Sequence, residues 1–194
     1  MKTLQYLLTI GASGLLGCKS TFHVQSYQAP ATSLRPEHAV FIIVPPDAYD
    51  EPGSGRKCAD TLQEAFKPFA SRLKESEETA SLDVYLANAA THGFTYVLDT
   101  KIYRWEEEPT EWTGKSDFLD LGLRLLQIPS GTVVSETRFQ GKSKWATFGG
   151  DHVEHLLKPL AGGWARAMYE GGDFKAPAQE VKAKDSSYSS RIAK

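Results

Sequence analysis

Between His38 and Glu170 the spacing of apolar residues switches repeatedly between the period of a strand and that of a helix, and outside those limits neither period is sustained. Ala39-Val40-Phe41-Ile42-Ile43-Val44 is a continuous apolar run closed by Pro45-Pro46, which predicts a strand covered on both faces and therefore central in its sheet. After a loop over 47–55, Cys58, Leu62, Ala65, Phe66 and Phe69 fall on one helical stripe, and Pro68 predicts the end of that helix near Lys67. Phe69, Ser71 and Leu73 then alternate with Ala70, Arg72 and Lys74, the pattern of a half-covered edge strand. A second helix is predicted from Leu82 to His92, burying Leu82, Tyr85, Leu86 and Ala89 and ending at Gly93. Three longer strands follow over Phe94–Trp105, Phe118–Gln127 and Thr132–Trp145, the last two joined as a hairpin across Pro129-Ser130-Gly131. In the second of these, Leu119, Leu121, Leu123 and Leu125 face one way and Asp120, Gly122 and Arg124 the other, so one face is expected to stay in water. A last helix is predicted from Asp151 as N-cap, with Glu154 three residues on and Val153, Leu156, Leu157, Leu160, Trp164 and Met168 on one face. Pro159 and Gly162-Gly163 predict a bend or interruption in it. The order β-α-β-α-β-β-β-α predicts an α/β fold, a mixed sheet with helices packed on it.

The ends of the chain read differently. Lys2 followed by Leu4, Leu7, Leu8 and Ile10, and then Leu15-Leu16-Gly17-Cys18, has the layout of a lipoprotein signal peptide over residues 1–17. The apolar part is too short to span a bilayer as a helix. Cys18 is the expected lipidation site, since its thiol and the new amino terminus together take up several acyl chains and anchor where a single chain would not. Residues 18–37, rich in Ser, Thr, Gln, Ala and Pro, are predicted to be a lipidated tether. Residues 38–170 are the expected globular domain, and 171–194 a disordered tail. The formal charge of −2, one unit more negative once Lys2 is removed, gives no basic excess; it argues against nucleic acid and against an anionic lipid surface as partners, so the expected membrane contact is the lipid anchor alone. The expected location is thus the periplasmic side of the cell membrane or outer membrane. With Cys18 acylated, Cys58 has no partner for a disulfide, and its place on an apolar stripe predicts a buried, inert thiol.

The polar residues that invite a chemical reading are concentrated between Tyr103 and Asp117. Glu106, Glu107, Glu108 and Glu111 raise a glycosidase as the alternative function, which would need two carboxyls at a set separation with one pKa raised by burial. Adjacent glutamates around Pro109 fit a solvated loop better, with its tryptophans packed on the sheet rim or offered to a partner. Gly53-Ser54-Gly55-Arg56-Lys57 precedes a helix and suggests an anion seat, but it lacks the spacing of a phosphate-binding P-loop and reads as a turn needed for geometry. His152 and His155 share a helix turn without a third ligand, so no metal site is expected. No Gly-x-Ser-x-Gly elbow is present, and neither a catalytic set nor a cofactor is expected.

Trp105-Glu106-Glu107, then Thr110-Glu111-Trp112-Thr113-Gly114 and Asp117, resembles the signature of a family of bacterial lipoproteins known as DUF4823, a domain of unknown function. Gly53-Ser54-Gly55, Gly141-Lys142-Ser143 and Phe148-Gly149-Gly150-Asp151 extend the resemblance across about Ala39 to Tyr169. The chain departs from it at Tyr103-Arg104, where relatives carry Thr/Ser-His, so no role rests on a histidine there. The topology is also similar to that of the N-terminal domain of TolB and of related envelope lipoproteins, an analogy of fold alone. The resemblance implies an envelope lipoprotein without an assigned activity. The candidate binding residues are Trp105, Glu107, Glu111, Trp112 and Asp117, and the expected role is a non-catalytic binding or assembly accessory with an envelope protein as partner.

Overall fold

Val40–Ile42, the middle of the longest apolar run, forms a strand buried on both faces. A computed structural model describes residues 20–108, 115–143 and 152–177. The elements are β1 (Thr21–Gln28), β2 (Val40–Ile42), α1 (Ser54–Phe66), β3 (Leu73–Glu75), α2 (Leu82–Thr91), β4 (Tyr96–Glu106), β5 (Phe118–Gln127), β6 (Thr132–Lys142) and α3 (Val153–Glu170). The six strands make one sheet in the order β1-β6-β5-β4-β2-β3. β2 runs parallel to β3 and β4, and the other neighbours are antiparallel.

The alternation along each strand sorts the core into two layers. Val40, Ile42, Leu98, Leu119, Leu121, Leu123, Leu125 and Phe139 face α1 and α3, whose stripes include Cys58, Leu62, Phe66, Leu157 and Trp164. Phe41, Ile43, Val97 and Leu126 face the other way, onto Tyr85 and Ala89 of α2. Among the described residues α2 is the only helix on that second face, so beyond β4 it carries no described helix and presents the polar residues alternating with the leucines of β5. Cys58 is fully buried and burial pushes its thiol far above the ordinary value, the inert thiol expected from its stripe. Phe66 and Trp164 meet edge to face at 5.9 Å between ring centroids, joining the two helices over the sheet.

Three expectations change. Residues 21–28 are not a tether: they form β1, an edge strand hydrogen-bonded antiparallel to β6, with Phe22, Val24 and Tyr27 against the main core. The first residues after Gly171 are not free of the domain either. Phe174 is 5% exposed, edge-on to Tyr27 at 5.7 Å and to Phe139 at 6.3 Å. The third concerns α3, which runs from Val153 to Glu170 with Pro159 inside it rather than breaking. Its Gly163 is a site of close approach, since a Cβ there would lie 3.1 Å from the ring of Phe174. Asp151, the expected N-cap, lies outside the described residues, and His152 holds the cap position.

A chain ending at Gly172 is expected to be less stable than one ending at Pro177 by about 3 kcal/mol, the scale of deleting a buried phenylalanine. Urea unfolding of the two truncations measures this, and the Pro177 form should match the full chain, because the sequence beyond it has no apolar period to bury.

Candidate functional site

The expected site lies where β4, β5 and β6 end. β4 carries a bulge between Ile102 and Arg104, so Ile102 and Trp105, three residues apart, both turn toward the main core. Trp105 is 2% exposed and pairs across the strands with Leu119. The bulge sends Tyr103 onto the open face, where its ring lies over Gly122, whose missing Cβ would stand 3.1 Å from it. The guanidinium of Arg138 packs on the same ring at 3.9 Å.

Asp117 is completely buried just before β5. Its Oδ1 accepts a hydrogen bond from the Glu108 backbone N–H at 2.9 Å, its own N–H donates to Ser143 Oγ at 2.9 Å, and its carbonyl accepts from the Ser143 N–H at 3.0 Å. The carboxylate and backbone of one residue thus tie the end of β4 to the end of β6. Glu107 is the second tie. Its N–H donates to Glu51 Oε1 at 3.1 Å, its Oε2 takes the Lys57 ammonium of α1 at 2.9 Å, and its Oε1 meets His152 Nδ1 at 2.8 Å. Lys57 also reaches Glu154 Oε1 at 3.4 Å. Glu106 is paired with Arg104 and Glu108 with Lys115.

Partial burial opposes the ionisation of Glu107, but the hydrogen bonds from Lys57 and His152 outweigh it and hold the carboxyl below its usual range. A general acid for glycoside cleavage needs the opposite shift. Because the folded pKa is the lower one, Glu107 contributes stability above the ordinary glutamate range near pH 4.3 and loses it as pH falls through the depressed value. Glu107→Gln is therefore expected to cost about 1 kcal/mol at pH 7. The difference from the unsubstituted chain should narrow as pH falls below the ordinary glutamate range, as read from melting curves across pH.

Glu107, His152 and Glu154 place one ligand atom each within 4.8 Å of one another, a spacing compatible with a cation. The Lys57 ammonium already bonds both carboxylates there, so part of the cluster's negative charge is offset from within. The histidine pair singled out in the sequence is divided in its contacts: His152 turns to Glu107, and His155 stacks edge to face on His152 at 6.1 Å. The suspected anion seat at the start of α1 is likewise filled by the chain. Asp47 accepts from the N–H groups of Gly53 and Gly55 at 2.9 and 2.8 Å, and these bonds keep its carboxyl below the usual range.

Of the five candidate binding residues, Trp105, Glu107 and Asp117 converge on this end of the sheet, while Glu111 and Trp112 lie outside the described residues. Trp105 and Asp117 offer no surface to a partner; burial makes them holding residues instead of contact residues. The sequence reading did not connect Lys57, Glu51 or Ser143 to this end, because only the topology brings them there. It also passed over the open face, where Asp120 takes a two-pronged bond from Arg138 and a third from Gln140, although the alternation of Asp120 and Arg124 with leucines signalled that face.

A family model described as a domain of unknown function (DUF4823) matches residues 32–168, well over half of the chain. The chain belongs to the DUF4823 family. Among solved structures, this DUF4823 domain is similar to the PelC dodecamer from Paraburkholderia phytofirmans, with a TM-score of 0.63 at 10% identity over 77% of this chain and 98% of that one. A second crystal form of that dodecamer, carrying one substitution, gives 0.57 at 10% identity over the same shares. Protein XCC0632 from Xanthomonas campestris, of the DUF330 family, gives 0.46 at 13% identity over 73% and 94% of the two chains. No curated protein matches the DUF4823 chain in sequence. At these identities the PelC likeness shows a shared fold and nothing finer.

Proposed function

We propose that this DUF4823 protein is a lipid-anchored, periplasmic envelope lipoprotein that works as a non-catalytic binding or assembly accessory. The observation that carries the reading is the engagement of the described signature side chains inside the domain. Trp105 fills the core, Asp117 ties two strand ends together, and Glu107 is bonded by Lys57 and His152. A signature used in this way holds the ends of β4 and β6 and the start of α1 in one fixed arrangement. The leader ending in Leu15-Leu16-Gly17-Cys18 supports the location. The similarity of fold to a protein solved as a dodecamer supports an assembly role at the level of architecture.

Crosslinking in intact cells, followed by identification of the captured proteins, tests the reading. Single substitutions Glu106→Gln, Glu107→Gln, Glu108→Gln and Glu111→Gln are each expected to leave capture of an envelope partner in place. Trp112→Ala is expected to retain the melting temperature and lose most of the capture, because tryptophans beside charged residues are enriched at binding hot spots. Turnover of a glycan that one glutamine substitution abolishes would replace this reading with the hydrolase.

A further inference from the structure

Lipidation of Cys18, on which this inference rests, leaves only Lys19 and Ser20 before the first residue of β1. Three Cα–Cα steps of 3.8 Å span at most about 11 Å. Thr21 is fixed in the sheet: it pairs with Lys142, Lys142 with Phe118, and Phe118 with Glu106, so these four residues form one row across a single end of the sheet. The start of α3 and the first turn of α1 lie at the same end, because His152 and Lys57 both bond Glu107 immediately after β4. The opposite end is the turn after Gln127, nine residues along β5 from Phe118, or about 30 Å away. An 11 Å leash starting at the Thr21 row brings that row to the headgroups and holds the far turn away from them.

We infer that the sheet end marked by Thr21, Lys142, Phe118 and Glu106 is a membrane-facing surface, and that its partner is the headgroup layer of the bilayer holding the acyl chains. Lys142 is exposed on this row, where it meets lipid phosphates as a cation. The turn between β5 and β6 then points away from the membrane.

The test uses the full acylated chain in vesicles of phosphatidylethanolamine and phosphatidylglycerol containing a small fraction of lipid with a nitroxide on its headgroup. A thiol-reactive fluorophore is placed at Lys142→Cys, at Lys115→Cys as a second site on the same end, or at Thr132→Cys on the far end; Cys58 is buried and escapes labelling in the folded chain. Quenching at both near sites at least threefold greater than at Thr132→Cys is expected. Equal quenching at the two ends, or greater quenching at the far end, would overturn the orientation while leaving the anchor intact. A chain that carries no acyl mass on Cys18 and does not float with the vesicles would overturn the anchor itself, and this surface with it.

Discussion

Replacing Trp105 by alanine is expected to destabilise the domain by on the order of 3–5 kcal/mol, the range for removing a buried tryptophan. The side chain is 2% exposed and belongs to the main core cluster, on the strand that carries the family signature. Its indole N–H is buried and has no hydrogen-bond partner among the described residues, so the residue stabilises through packing area alone. Trp105→Phe should consequently recover more than half of the loss, because it keeps an aromatic ring there and removes an unsatisfied donor. Chemical denaturation of the two variants separates packing from polar contributions. Trp112→Ala measured alongside them should sit close to the unsubstituted chain, and equal destabilisation at both tryptophans would remove the division between a core residue and a contact residue.

Gly55→Ala is expected to cost about 3 kcal/mol or more, for a different reason. A Cβ at this position would stand 2.0 Å from the Pro45 carbonyl oxygen and 3.0 Å from Asp47 Oδ1. The carbonyl is backbone and cannot turn aside, so the first turn of α1 must move away from the loop after β2. That displacement combines overpacking, which costs about 1–3 kcal/mol, with loss of the Asp47 bonds to the Gly53 and Gly55 N–H groups, worth about 1 kcal/mol as a helix cap. Gly162→Ala is the matched control. It lies inside α3 with no atom within 4 Å of the new Cβ, and the gain in helix propensity should raise stability by about 0.5–1 kcal/mol. Melting temperatures of the pair should therefore move in opposite directions.

The parts of the fold legible in the sequence are those where one period holds without a break. β5 and α1 follow their alternation and stripe closely, and Pro68 and Gly93 mark helix ends as their backbone chemistry requires. β1 was hidden for a physical reason. Its inward residues are Phe22, Val24 and Tyr27, and the bulge between Val24 and Ser26 breaks the two-residue period, so the segment reads as polar and irregular. Phe174 is one aromatic in a tail without period, and nothing local announces that it packs on Gly163. In the candidate site the residue types were visible and their partners were not. Lys57 and Glu107 are fifty positions apart, and only the crossing of α1 over the sheet brings them together. Local sequence specifies which residues are charged, while the pairing of distant charges follows from topology.

Fractionation of cells expressing the full chain or Cys18→Ser tests the proposed envelope role most directly. The unsubstituted protein is expected in the membrane fraction with acyl chains on Cys18, and the serine variant in the soluble periplasmic fraction. Recovery of Cys18→Ser in the membrane fraction with its leader removed would contradict a protein held there by lipid.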